Sequence, residues 1–567
     1  MTGAGPTATK PVVPDRRAAV YLAAALLGLG GVLAFGDAYA LRVATLVGIY
    51  AIAAIGYQLV FGRLGLLSLA QGACFGLGAY ASALLTAAVG LPVPLGLAAA
   101  VLVPALAAAA VALPVARLES HYVALATLGL AQLALLAATN LEITGGANGL
   151  YGIPPIAFGA VEATGPAMLA VVWTGVAAAL LAGCIVTAGG RGARLATLRD
   201  APHAAIALGL DPVPARIALF AVAGGLGGLA GGLQAHGLGV VSPAVTGFEV
   251  MVTILAIAVV GGRGSFPGAV AGAALLVPLP EVFRFLEGSY LVAYGVVLLA
   301  TIVLLPRGLD GQLRHWLPRR PPVLPQPRKA GPRKTGKALV VEGLSKRFGG
   351  VIALDGVSFA VPAGAVVGLI GANGSGKTTA LNLISGLERP GAGRIRIGGV
   401  PVAERPAHHR VGLGLGRGFQ HPEFPVELFV LEAAAVATPD RSAAMAALQR
   451  VGLGARAADP VAALGASELK LLDIARALAA APDALILDEP AAGLTASERA
   501  ALAGLLRGLA DSGLAVLVVD HGMDFLLPLA DRLVCLDAGR VIAAGSPEAV
   551  RHDPAVIAVY LGARTPA

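Results

Sequence analysis

Charge is scarce in this chain. Of its 567 residues, 13% are Asp, Glu, Lys or Arg and 57% are hydrophobic. An ordinary soluble domain is about one quarter charged. Mean hydropathy is +0.79. This balance excludes a wholly soluble protein and places much of the chain in lipid. Cysteine is scarcer still. Cys74, Cys184 and Cys535 lie far apart, two in apolar spans and one in the C-terminal half. That spacing excludes a disulfide framework and shows no metal-ligand pattern. The apolar spans hold few charges, which argues against a proton or metal pump working through buried carboxylates. The charge present leans positive, with a formal net of +8. Its basic residues cluster between apolar spans, so the excess reads as cytoplasmic loops rather than as a nucleic-acid surface.

A length of 567 residues points to more than one domain. Residues 1–17 form a polar, Pro-containing tail. Candidate spans follow at 18–36, 43–61, 65–89, 95–116, 122–141, 167–188, 217–236, 249–262, 266–284 and 289–306. A bilayer core of about 30 Å needs about 20 apolar residues. Ten spans are expected, with eight as the alternative that keeps both ends inside. Spans eight and nine are short enough to tilt, re-enter or merge. Arg16-Arg17, an apolar run and Ala38-Tyr39-Ala40 mimic a cleavable signal. The run to Phe35 is long for one and more spans follow, so it reads as the first transmembrane helix. With the N-terminus inside, the basic loops at Arg63, Arg117, Arg191–Arg216 and Arg263 also fall inside, as the positive-inside rule requires. The glycines of 221–232 suit close helix approach, although compositional bias accounts for much of the alanine. Residues 307–337 form a basic, Pro-rich linker, expected to be extended and drawn to anionic lipid; a nucleic-acid tail is its rival reading.

Residues 338–567 alternate apolar strands and helices, an α/β pattern after an all-α membrane domain of about 8–10 helices. They are organised around Gly371-Ala372-Asn373-Gly374-Ser375-Gly376-Lys377-Thr378-Thr379. An apolar run, Ala365–Ile370, precedes this stretch, and Ala380–Ser385 can begin a helix. Strand, glycine loop and helix make a phosphate-binding loop. Its glycines let backbone N–H groups turn towards phosphate oxygens, and the helix start adds its positive end. Lys377 can reach the β- and γ-phosphates of ATP, and Thr378 can ligate Mg²⁺. Gln420 follows downstream. The strand Ala484–Leu487 ends at Asp488-Glu489-Pro490, and the strand Leu514–Val519 ends at Asp520-His521. Asp488 can hold Mg²⁺, Glu489 can polarise the attacking water, and His521 can contact the γ-phosphate.

Three stretches of the membrane half are distinctive: Gly65–Tyr80, Thr144–Pro154 and Arg194–Leu210. With Gly261–Gly268, they resemble the membrane subunit of the branched-chain amino acid ABC importers over most of 40–306. In that family the first is a span motif, the second a periplasmic loop and the third the segment that docks on the ATPase. The docking segment there often carries an acid, which this chain lacks near Pro202-His203. Residues 339–562 resemble ABC ATPases. The opening at Val341–Phe348 and the ending at Val550–Gly562 are similar to the branched-chain amino acid importer ATPase. The resemblance implies that Phe348 stacks on adenine and that Gln420 links the Mg²⁺ site to the docking groove. It places the ABC signature, which serves the partner's nucleotide, at Leu464-Gly465-Ala466-Ser467-Glu468. The family usually has a hydroxyl residue where Gly465 stands and a glycine where Ser467 stands. Thr495 replaces the common acidic or amide residue after the Glu489 strand.

The expectation is a permease fused to its ATPase in the cell inner membrane, with the ATPase domain in the cytoplasm. It would use ATP and Mg²⁺ to move branched-chain amino acids or similar small amino acid or amide solutes inward. The resemblance implies a second permease and a second ATPase subunit, or a second copy of this chain, plus an extracytoplasmic solute-binding protein. No nucleic acid is expected. The alternatives are an ABC exporter half-transporter and a membrane-bound ATP-dependent sensor.

Overall fold

The computed structural model describes residues 16–116, 118, 120–158, 161–283, 290–317, 319–327 and 339–561. The tail up to residue 15, Arg117, Gly562 and the linker residues 328–337 lie outside the described residues. The chain forms two compact units. One runs up to Ala188 and resumes over Val213–Arg320; the other joins Gly189–Pro212 to the chain from Pro321 onward.

The first unit is helical. It contains α1 (Arg16–Phe35), α2 (Ala38–Tyr57), α3 (Gln71–Ala83), α4 (Val93–Val115), α5 (Ser120–Asn140) and α6 (Pro166–Thr187). Two short helices of the second unit intervene, α7 (Gly190–Asp200) and α8 (Pro202–Ala207). Then come α9 (Pro212–Leu238), α10 (Phe248–Gly261), α11 (Phe266–Leu276), α12 (Leu279–Val282), α13 (Tyr290–Leu304) and α14 (Gly308–Trp316). Short strands β1 (Leu150–Tyr151) and β4 (Val240–Val241) pair antiparallel, as do β2 (Ala157–Phe158) and β3 (Val161–Glu162). Helix α2 continues as a π-helical turn to Arg63, and its residues 51–60 are buried throughout.

The structure departs from expectation in the third span and in the linker, and it bends spans eight and nine as their shortness allowed. Residues 65–70 are not helical; only 71–88 of the third span are. Hydroxyl groups satisfy the opened backbone: Leu67 N donates to Ser120 Oγ at 3.0 Å and Leu69 N to Thr127 Oγ1 at 2.9 Å. Irregular backbone at membrane depth needs such internal partners, since lipid offers none. Spans eight and nine meet at 118°, as a broken span or a re-entrant loop. Gly262 (φ +105°) and Gly264 (φ +76°) make the break. The fully buried Gln58 holds it, donating to Ala258 O and Gly262 O at 2.9 Å each and accepting from Gly264 N at 2.7 Å. Among the described residues, five helices are long and apolar enough to cross a membrane, or six if the bent pair is one span; α1, α3 and α13 coincide with three further expected spans. In the linker, α14 is helical where an extended chain was expected. The small residues of α9 do permit close approach. A Cβ on Gly228 would strike Ala100 O, and one on Gly231 would strike Phe75 O.

The second unit holds two sheets. Strands β5 (Leu339–Phe348), β6 (Val351–Val361), β8 (Ala392–Ile397) and β9 (Val400–Pro401) form an antiparallel sheet in the order β6-β5-β8-β9. The larger sheet uses β7 (Val366–Gly371), β10 (Leu415–Gly418), β11 (Ala484–Asp488), β12 (Ala515–Val519), β13 (Arg532–Asp537) and β14 (Arg540–Gly545). Its order is β10-β11-β12-β7-β13-β14, parallel except for β14. Strands β7, β11 and β12 are buried along their whole length, as expected when helices cover both faces of a parallel sheet. The helices are α15 (Lys377–Ser385), α16 (Ala407–Gly412), α17 (Val430–Ala434), α18 (Arg441–Arg450), α19 (Ala466–Ala479), α20 (Ala496–Asp511), α21 (Met523–Leu529), α22 (Pro547–Arg551) and α23 (Pro554–Leu561). The register sets Asp488 beside Val519 and Val519 beside Leu369. Three loops therefore leave one carboxyl edge together, which is where parallel sheets bind ligands.

Candidate active site

The loop from Gly371 to Gly376 links β7 to α15. Gly371 takes φ +148°, and a Cβ there would strike Leu536 O and Ser375 Oγ. Gly376 caps α15 at φ +103°. Ser375 Oγ is buried without a protein partner, so one donor inside the loop is left for a ligand. Ala372, Asn373 and Gly374 form the open tip, and Thr378 and Thr379 follow Lys377 in the first turn of α15. Lys377 Nζ donates to Gly371 O and Ala372 O at 2.8 Å each. Burial lowers its pKa, opposed by the fields of Glu489, Asp488 and Cys535.

Asp488 ends β11 and is buried. Burial pushes its carboxyl above the ordinary range; Arg417 and Lys377 pull it down, while Glu489 and Asp520 add to the rise. Glu489 adopts the left-handed φ of +46°. Its N–H donates to Val519 O at 2.7 Å. Gln420 Nε2 donates to Glu489 Oε2 at 2.6 Å, and His521 Nδ1 lies 3.7 Å from Oε1. The structure thus brings Lys377, Gln420, Asp488, Glu489 and His521 to one edge. Phe348 stands half exposed at the end of β5, with Lys346 Nζ 4.9 Å above its ring.

The stretch Leu464–Glu468 starts α19. Gly465 is the N-cap, and its N–H donates to Glu468 Oε2 at 2.9 Å. Glu468 also pairs with Arg456. The Glu498 carboxyl is held below its usual range by the Thr495 N–H and hydroxyl, with the Ser467 side chain close by. The polar contacts of this stretch therefore run to Arg456 and Glu498, not to the Gln420–Glu489–His521 group.

Residues 189–212 belong to this unit. They form two helices rather than one segment, broken at Ala201 (φ −138°, ψ +63°) ahead of Pro202. Arg199 bonds Asp200 at 2.6 Å and Glu427 at 2.5 Å. Burial disfavours its charge, but the two carboxylates more than offset that and hold its pKa above the ordinary value. Asp211 Oδ2 lies 3.8 Å from His408 Nε2. An acid does stand beside Pro202-His203: Asp200, two residues before the proline, which Arg199 links to Glu427 on the other side.

Four residues escaped the sequence reading. Asp473 accepts from Phe419 N at 2.7 Å and pairs with Arg476 at 2.5 Å, both nearly inaccessible. Arg476 stacks on Phe424 at 4.3 Å. These bonds anchor the segment that carries Gln420. Arg417 reaches Asn382 Oδ1 at 2.7 Å, under α15. Lys470 reaches the turn after Glu489. An Asp and an Arg three apart in an apolar helix were the readable signal for the first pair.

Comparison with known proteins agrees with this geometry. A family model described as the branched-chain amino acid transport system permease component matches residues 39–306. An ABC transporter model matches 354–492, and one for the branched-chain amino acid ATP-binding cassette transporter matches 540–565. The high-affinity branched-chain amino acid transport ATP-binding protein BraF of Pseudomonas aeruginosa is 34% identical over 248 residues, 40% of this chain and 97% of that protein. The chain belongs to the branched-chain amino acid ABC transporter family. LivG of Escherichia coli, a high-affinity branched-chain amino acid transport ATP-binding protein, is 33% identical over 250 residues, 40% of this chain and 97% of that protein. The Nod factor export ATP-binding protein I of Burkholderia lata is 37% identical over 213 residues, 36% of this chain and 70% of that protein. This family member is a multi-pass membrane protein that carries permease and ATPase in one polypeptide and couples ATP hydrolysis to transport.

Proposed function

We propose that the chain is the fused half of an importer that moves branched-chain amino acids, or similar small amino acids and amides, across the inner membrane. A second permease and ATPase, or a second copy of this chain, completes it, and an extracytoplasmic binding protein delivers the solute. The observation that supports this best is that α7 and α8, encoded between permease helices, belong to the same compact unit as the ATPase site. Arg199 there engages Glu427, seven residues past Gln420, which itself engages Glu489. The segment thus bonds to the same stretch of chain that carries Gln420.

At that site the loop amides, Lys377 and Ser375 bind the phosphates, and Phe348 meets the base. The hydroxyl of Thr378, the amide oxygen of Gln420 and the carboxylate of Asp488 are hard oxygen donors that suit Mg²⁺. When bound, the cation neutralises charge on the phosphates. Glu489 takes a proton from the attacking water, and Gln420 holds its carboxylate in place.

Reconstitution tests the direction. The full chain, with its partner subunits and binding protein in proteoliposomes, should accumulate labelled leucine only with ATP and only with the binding protein. ATP-driven extrusion without a binding protein would establish an exporter instead, as the similarity to an export ATPase allows. ATP hydrolysis with no solute movement in either direction would establish a sensor.

A further inference from the structure

Glu489 is a non-glycine residue in the left-handed region, at φ +46°. Such a backbone is disfavoured for a residue with a side chain and persists only where its surroundings over-determine it. The turn from Glu489 to Ala492 therefore needs fastening.

The fastening comes from α19. Lys470 lies there, two residues past the Leu464–Glu468 stretch. Its Nζ donates to Glu489 O at 3.4 Å, to Pro490 O at 3.2 Å and to Ala492 O. An ammonium has three donors and no acceptor, and all three protons find carbonyls of one turn. From the other side, Asp520 Oδ2 accepts from Ala491 N at 3.4 Å, while its Oδ1 accepts from Gly522 N at 2.8 Å. Asp520 is buried at 3% exposure. A cation gathers the carbonyls and an anion takes the amide. The turn is clamped by opposite charges, and the strained residue between them carries the carboxylate. Burial lowers the Lys470 pKa, while the fields of Asp520 and Glu489 hold it up.

We infer that Lys470 is a positioning residue for ATP hydrolysis: by gathering the carbonyls of Glu489, Pro490 and Ala492, it holds the turn that aims the Glu489 carboxylate at Gln420 and His521. It touches neither the carboxylate nor the nucleotide loop in any bond described above. It acts through the main chain, and it ties the start of α19 to the catalytic turn. This inference rests on the reading of Glu489 as the hydrolytic carboxylate.

The test uses the full chain in detergent, with MgATP turnover and equilibrium ATP binding measured on Lys470→Met, Lys470→Arg and Glu489→Gln. Met keeps the apolar stem and removes every donor. It should lower kcat by about tenfold or more, leave KM and ATP binding within about threefold, and so split kcat from KM. Arg restores donors and should recover most of kcat. Unchanged kcat in Lys470→Met beside an inactive Glu489→Gln overturns the role of Lys470. Full turnover in Glu489→Gln overturns the reading of Glu489 instead. If Lys470→Met fails to bind ATP and so is misfolded, Lys470→Gln decides: a fall in kcat at constant KM supports the clamp, and wild-type kcat refutes it.

Discussion

Gln420 and Glu489 are 69 residues apart in sequence, yet Gln420 Nε2 donates to Glu489 Oε2 over 2.6 Å. His521 Nδ1 lies 3.7 Å from the other oxygen, beyond hydrogen-bond reach, so Gln420 supplies the bond that fixes the carboxylate. A carboxylate so held is set to orient water and accept its proton. Glu489→Gln keeps the shape and removes the basicity. Its turnover should fall by about a hundredfold or more, while ATP binding stays close to wild type, because Lys377 and the loop amides are untouched. Phosphate release and equilibrium nucleotide binding, measured on one preparation, check both halves.

The pair Arg199–Glu427 should carry coupling rather than chemistry. Its side chains are 11% and 26% exposed, so water screens it only in part. A hydrogen bond to a charged group contributes about 1.5–3 kcal/mol, and each 1.4 kcal/mol is a factor of about ten. Arg199→Glu should lower solute uptake about tenfold while ATP binding persists. The double reversal, Arg199→Glu with Glu427→Arg, should regain much of the uptake. Wild-type uptake in the single variant would show that the coupling surface lies elsewhere.

The start of α19 points to unequal sites. Gly465 offers no side chain at the N-cap, and the Ser467 side chain sits beside Glu498. The nucleotide that the Leu464–Glu468 stretch serves thus loses a hydroxyl donor, and its site should be the slower one in a heteromeric assembly. Exchanging Gly465→Ser with Ser467→Gly should speed that site and strengthen the cap by a few tenths of a kcal/mol. Single-turnover measurements with one site disabled at a time report each rate. Two equally fast sites before the exchange, or a functional assembly of this chain alone, would contradict the asymmetry.

Asp488 should trade stability for function. Burial raises its folded-state pKa, with Arg417 and Lys377 only partly countering it. The unfolded carboxyl, near its ordinary pKa of about 4, releases its proton first as pH rises. Stability is therefore lost as pH climbs from there through the raised folded value. Asp488→Asn removes that charge. Its ATPase transition should melt higher at pH 7.5, and the gap should close as pH falls towards 4. Turnover should be lost. A lower melting temperature at pH 7.5 would contradict the burial argument.

Legibility followed sequence distance. The phosphate loop could be read because strand, loop and helix are contiguous between Val366 and Ser385. Asp488-Glu489 and Asp520-His521 could be read because buried parallel strands announce their own ends. The opening of the chain at 65–70 could not be, since the hydroxyls of Ser120 and Thr127 that permit it lie 53 and 58 residues from the amides they accept. The break at Gly262–Ser265 was half visible in its glycines, but the Gln58 side chain that holds it comes from α2. Lys470 was invisible for another reason. Its partners are backbone carbonyls, which every residue carries, so no pattern of side chains could mark them.

The attachment of residues 189–212 to the ATPase unit also sets an order of events during synthesis. Arg199 leaves the ribosome 228 residues ahead of Glu427. At about 5–20 residues per second, the interval is roughly 10–50 s. Through that interval the helices that follow this segment are made, while the surface that α7 and α8 need has not been translated. The earlier-made part must therefore hold an unfinished loop ready, and completion of the ATPase unit is timed by the length of polypeptide between its two parts.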